Sequence, residues 1–148
     1  MGNIFAIKCT NCSYKREFFI GIGMMYSPDR VISDDLETGL LKQLIKSKKT
    51  QAFVKKLLHE KAGTMRDDYG HVLYRCNRCG EFYDRFFYHI DYIEGSFEPK
   101  FKCPKCKKLL NEFKPKEDEI KIALPKYPCP KCGKKSLQKD IESMSCWD

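Results

Sequence analysis

The sequence predicts a small α+β protein pinned by two four-cysteine metal sites, with a helical hairpin inserted between short antiparallel β-hairpins. Three observations predict it. Eight of the nine cysteines fall into four Cys-x-x-Cys pairs: Cys9/Cys12, Cys76/Cys79, Cys103/Cys106 and Cys129/Cys132. Leucine and phenylalanine recur at helical spacing between residues 34 and 63. Alternating aromatic and aliphatic residues around the pairs read as short strands.

A tight turn across two intervening residues points both sulfurs of a pair at one ion, and two such turns complete a tetrahedron. Four pairs therefore predict two Zn²⁺ per chain, ligated by Cys9, Cys12, Cys76, Cys79, Cys103, Cys106, Cys129 and Cys132. An odd cysteine total in this spacing argues against a disulfide framework and for reduced thiolates, hence a cytoplasmic location. Cys146, alone beside Trp147, reads as an inert thiol. A catalytic zinc keeps an open position, whereas four thiolates close it, so no enzymatic activity is expected. The histidines His59, His71 and His89 are scattered, no HExxH, GxSxG or P-loop is present, and no small-molecule substrate is indicated. No apolar run approaches the ~20 residues that a membrane span requires, and MGNIFAIKC lacks the flank of a secretory signal.

Residues 4–8 and 17–26 read as strands flanking the first pair. Asp34 and Glu37 form a helix-start signal, followed by Leu36, Leu40, Leu41, Leu44 and Ile45 on one face. A second helix is expected from near Thr50, with Phe53, Val54, Leu57 and Leu58 as its apolar face and a stop at Gly63. From His71 the pattern is β. HVLYRC enters the second pair, and EFYDRFFYHIDYI leaves it with Phe82, Phe86, Tyr88, Ile90 and Tyr92 on one face and Tyr83, Arg85, Phe87, His89 and Asp91 on the other. A short strand is expected around residues 120–124. The predicted parts are an outer metal-bearing part from residues 1–33 and 114–148, a helical hairpin over 34–63, and an inner metal-bearing part over 64–113.

The pairs can combine as nested, sequential or crossed sets. Intervals of 63, 23 and 22 residues separate them. A strand–turn–strand pattern over residues 80–102 favours nesting, with Cys76/Cys79 joined to Cys103/Cys106 and the chain ends closing the outer site.

Tyr74-x-Cys76-x-x-Cys79-Gly80-x-x-Tyr83-Asp84, with Phe101-x-Cys103-Pro104-x-Cys106, resembles the two knuckles of a rubredoxin. The CxxC units resemble those of the zinc-ribbon and rubredoxin-like superfamily, with the look of the small zinc-ribbon proteins of bacteria. The resemblance spans about 35 residues and implies metal geometry rather than an activity. Lys107 stands where rubredoxins carry glycine, and their acidic, aromatic-filled inter-knuckle loop is missing.

The net charge of +8 is unevenly spread. Residues 42–61 hold seven lysines against Glu60, and residues 100–139 hold thirteen against Glu112, Glu117, Asp118 and Glu119. Such segments form an electrostatic footprint for RNA or DNA, with Lys42, Lys46, Lys48, Lys49, Lys105, Lys107 and Lys108 as phosphate contacts and Arg85, Phe87 and His89 as a stacking face. Only six of the 28 cations are arginine, and lysines beside the pairs also offset the −2 of each metal–thiolate centre. A protein-interaction adaptor, and more remotely rubredoxin-like electron transfer, are the alternatives. The expected partner is thus a nucleic acid or a protein complex.

Overall fold

The computed structural model describes residues 2–23, 26, 31, 40–114, 119 and 123–147, with side chains throughout except at Leu40 and residues 141–147. The described elements are β1 (Gly2–Cys9), β2 (Lys15–Ile20), α1 (Leu40–Leu44), α2 (Lys48–Glu60), β3 (Thr64–Met65), β4 (Gly70–Arg75), β5 (Phe82–Phe87), β6 (Ile90–Tyr92), β7 (Gly95–Phe97), β8 (Asn111–Glu112), a 3-10 turn (Leu124–Lys126) and β9 (Leu137–Trp147). They fall into two compact units. The first comprises Met1–Gly21, His71–Arg85 and Lys100–Trp147, and the second is built from Ile22–Gly70 and Phe86–Pro99.

In the first unit, β2, β1 and β9 form one antiparallel sheet in that order. β1 alternates Phe5, Ile7 and Cys9 towards a core completed by Phe18, Leu73, Phe82, Phe113, Leu124 and Leu137. The β1–β9 register runs from Gly2↔Trp147 to Cys9↔Leu137, with a shift between Ile4 and Ala6 that β9 absorbs between Ser145 and Asp140. This ladder brings the first and last cysteine pairs together, because Cys9 ends β1 and Leu137 follows the final knuckle. A second sheet, β5-β4-β8, carries the other two pairs, with Tyr74↔Glu112 and Arg75↔Asn111 in register.

The second unit packs α1 and α2 with the sheet β3-β6-β7 around Leu41, Ile45, Val54, Leu57, Met65, Phe86, Tyr88 and Ile90. α2 starts earlier than Thr50. Ser47, in an extended conformation, accepts from the Thr50 amide at 3.4 Å and so satisfies one of the free N–H groups of the first turn. At the other end Ala62 is left-handed (φ 51°), which lets the Gly63 amide donate to the Leu57 carbonyl at 2.9 Å. A Cβ at Gly63 would lie 2.7 Å from that carbonyl oxygen, so glycine is required there.

Several expectations need correction. Phe53 does not join the buried stripe of α2 but is 43% exposed, edge-on to Phe97 at 5.0 Å. The interval between the second and third cysteine pairs is not one hairpin. β5 pairs with β4, whereas β6 and β7 pair with each other in the second unit, where Phe86, Tyr88 and Ile90 supply core. Leu124 lies in a 3-10 turn with Pro125, not in a strand, because proline fixes φ and removes a ladder donor. The first helix is described only from Leu40; the helix-start residues Asp34 and Glu37, with Leu36, lie outside the described residues, as do residues 24–25 and 120–122.

Candidate metal centres

Four local devices of one design present the thiols. In each, the first cysteine's amide donates to the carbonyl five residues on: Cys9 to Tyr14, Cys76 to Glu81 and Cys129 to Lys134 at 2.9 Å, and Cys103 to Lys108 at 2.8 Å. In three of them a second bond, 2.9 Å long, returns from Gly80 to Cys76, from Lys107 to Cys103 and from Gly133 to Cys129. These donors are left-handed, with φ of 77°, 59° and 76°. Lys107 therefore keeps the conformation of the glycine it stands in for, at a steric cost of about 1–2 kcal/mol. Amides also point at sulfur: Asn11 to Cys9 Sγ and Lys131 to Cys129 Sγ at 3.4 Å, Tyr14 to Cys12 Sγ and Cys106 to Cys103 Sγ at 3.5 Å. Such donors favour thiolate over thiol.

The structure groups the thiols as the nested set. Cys9, Cys12, Cys129 and Cys132 form one group, and Cys76, Cys79, Cys103 and Cys106 the other, with all sulfurs of a group within 4.8 Å of one another. The Cys9–Cys132, Cys12–Cys129 and Cys79–Cys103 sulfurs stand 3.7 Å apart. A tetrahedron with metal–sulfur bonds of about 2.3 Å has edges of about 3.8 Å, while a disulfide needs about 2.05 Å. The eight thiols are unbridged, and their spacing fits four-sulfur coordination of one ion per group. One thiol in each group is drawn towards the thiolate, while Cys12 and Cys79 are pushed the other way. The Lys134 amide and the Asn11 side chain bring Cys132 down to about 6. Burial opposes charge at Cys103, yet the Cys106 amide, the Tyr83 hydroxyl and the Lys105 amide bring it down to about 6 as well. Desolvation leads in pushing Cys79 up to about 12.

Three buried charged residues had no signal in the sequence. Asp140, 2% exposed, accepts from Lys15 at 2.9 Å and faces Lys8 at 3.5 Å. Glu81, directly after the second knuckle's Gly80, accepts from Tyr14 Oη at 2.7 Å, from Arg16 Nη1 at 3.1 Å and from its neighbour Phe82's amide at 3.2 Å. Burial opposes its charge, but the Tyr14 and Arg16 donors outweigh it and hold the carboxyl below the usual carboxylate range. Arg75 lies against Tyr127, its guanidinium carbon 4.6 Å from the ring centre. Each is an isolated charge in an ordinary strand or turn, and only long-range partners reveal its place.

The expected phosphate-binding and stacking residues are dispersed. Lys105, Lys107 and Lys108 are exposed on the first unit, with Lys105 Nζ 3.8 Å from Glu81. Lys42, Lys46, Lys48 and Lys49 are exposed on the second unit. Arg85 belongs to the first unit, stacking on Tyr83 at 5.0 Å and donating to the Asp84 carbonyl. Phe87 and His89 belong to the second. Phe87 is only 9% exposed, so the aromatic face expected to stack bases is instead packed. The His89 ring nitrogens face Asp68 at 3.0 Å and Glu98 at 2.8 Å, acidic surroundings that repel a phosphate. The side chain of Cys146 lies outside the described residues.

No protein-family model matches this chain, and neither curated proteins nor solved structures yield a match. Among the described residues, no helix is long and apolar enough to cross a membrane.

Proposed function

We propose that this chain is a non-catalytic cytoplasmic module with two structural zinc ions, which binds the phosphate backbone of a nucleic acid through the lysines around its knuckles. The zinc reading rests on the sulfur spacing and on the donor set, since four thiolates per ion suit a closed structural site.

The observation that carries the nucleic-acid reading is where the charge sits. Over their full sequence ranges, the first unit carries +10 and the second −2. Eight thiolates and two divalent ions lower the first to about +6, so the metal centres do not consume the excess. Among the described residues, Lys102, Lys107, Lys108, Lys134 and Lys135 have no carboxylate within 4.0 Å, and all five are exposed. Lysine heads of this kind read charge rather than base sequence.

The test is a mobility-shift titration of zinc-loaded protein on single- and double-stranded oligonucleotides at several salt concentrations. Affinity is expected to fall linearly with salt on logarithmic axes, and K107A/K108A is expected to flatten that slope by about 1–2. Absence of binding at low ionic strength would remove the reading. The exposed Ile93 (78%) and Phe53 (43%) favour a second reading, a protein adaptor, for the other unit. A stoichiometric partner retained after nuclease treatment and lost on I93D would support it.

A further inference from the structure

We propose that metal binding at either four-cysteine group strengthens binding at the other, through a buried link centred on Glu81. The proposal rests on reading both groups as metal sites. On the outer side, Tyr14 sets both cysteines of the first knuckle. Its carbonyl accepts from the Cys9 amide at 2.9 Å, and its amide donates to Cys12 Sγ at 3.5 Å. The Tyr14 hydroxyl donates to Glu81 Oε1 at 2.7 Å, and Arg16 donates to the same oxygen at 3.1 Å and to the Phe82 carbonyl at 3.0 Å. The Glu81 carbonyl in turn accepts from the Cys76 amide at 2.9 Å, the bond that forms the inner group's first knuckle. Two residues thus span the distance from Cys9 and Cys12 to Cys76, and Glu81 is only 8% exposed, so little water competes for its bonds.

Arg75 supplies a parallel connection. It is 8% exposed, immediately precedes Cys76, and packs on Tyr127, two residues before Cys129 of the outer group. Among the described residues it has no carboxylate within 4.0 Å, although a buried guanidinium needs a counter-charge. Each loaded group would carry a formal −2, and Cys76 of the inner one directly follows Arg75 in the chain. Loading one group therefore orders Tyr14, Glu81 and Arg75 before the second ion arrives, and linkage makes the effect reciprocal.

The experiment is titration of reduced, metal-free protein with Zn²⁺, read as zero-, one- and two-metal populations by native mass spectrometry. With tenfold coupling between sites of equal intrinsic affinity, about a quarter of the protein is in the one-metal form at half-saturation; independent sites give about half or more. Tyr14→Phe keeps the ring and removes the bond to Glu81, and Glu81→Gln removes the charge. Either variant is expected to raise the one-metal fraction to half or above while still taking up two ions. In the otherwise unchanged chain, Cys129→Ser is expected to weaken the inner group about tenfold, and in the Tyr14→Phe background by much less. An inner-group affinity unchanged by Cys129→Ser overturns the coupling and leaves two metal sites standing, as does an unaltered one-metal fraction in both variants. Failure to bind any ion overturns both readings together.

Discussion

At the scale of the residue, Lys107 is a position where geometry and sequence disagree. Its φ of 59° belongs to a conformation that glycine adopts without a Cβ penalty, and Gly80 and Gly133 occupy the equivalent places. Lys107→Gly is expected to stabilise the protein by about 1 kcal/mol, raising the thermal midpoint by about 2–4 °C, because relief of strain exceeds the added freedom of the unfolded chain. Calorimetry of the metal-loaded protein checks it, and an unchanged or lower midpoint would show that the turn carries no strain. The two four-cysteine groups were legible in the sequence because Cys-x-x-Cys encodes its geometry locally. Glu81, Arg75 and Asp140 were not, since their meaning comes from partners such as Tyr14, 67 residues from Glu81.

At the scale of the element, helices and strands were legible to different depths. The stripe of α2 appears in the sequence, and its burial at Val54 and Leu57 follows from a 3.6-residue period. Its start is set by Ser47, not by Thr50. Ser47→Ala is expected to cost about 1 kcal/mol, seen as a lower urea midpoint with unchanged slope. No loss would mean that packing alone fixes this terminus. The alternation through residues 82–92 identified strand but not its sheet: β5 and β6 share one hydrophobic pattern and yet join different sheets. A two-residue period says which side chains share a face. It does not say which neighbour covers that face, so Phe87 could be read as exposed although it is packed.

At the scale of the whole molecule, the two units differ in what holds them. The second has a contiguous apolar core running from Val31 to Ile90, while cysteines line both cores of the first. A structural four-thiolate ion contributes on the order of 10–16 kcal/mol, more than the net stability of most domains. Chelation is therefore expected to abolish amide protection in β1, β4 and β9 while much of that in α2 survives. Hydrogen exchange with and without chelator checks it, and β-strand protection unaffected by complete metal removal would show that the apolar clusters suffice. The nested grouping was favoured by the sequence but not forced by it, because spacing alone leaves every combination of pairs geometrically open.

Nesting also sets an order of assembly. The inner group joins sulfurs 24 residues apart, as between Cys79 and Cys103, whereas the outer group joins sulfurs 117 and 123 residues apart. During synthesis Cys9 and Cys12 emerge well before their partners, which lie 123 and 117 residues further along. Through that interval the thiols of Cys9 and Cys12 wait, open to oxidation or to a stray ion, while the inner group can already gather. The knuckle of Cys129 and Cys132 is a latch that fastens β1 to a segment more than a hundred residues downstream.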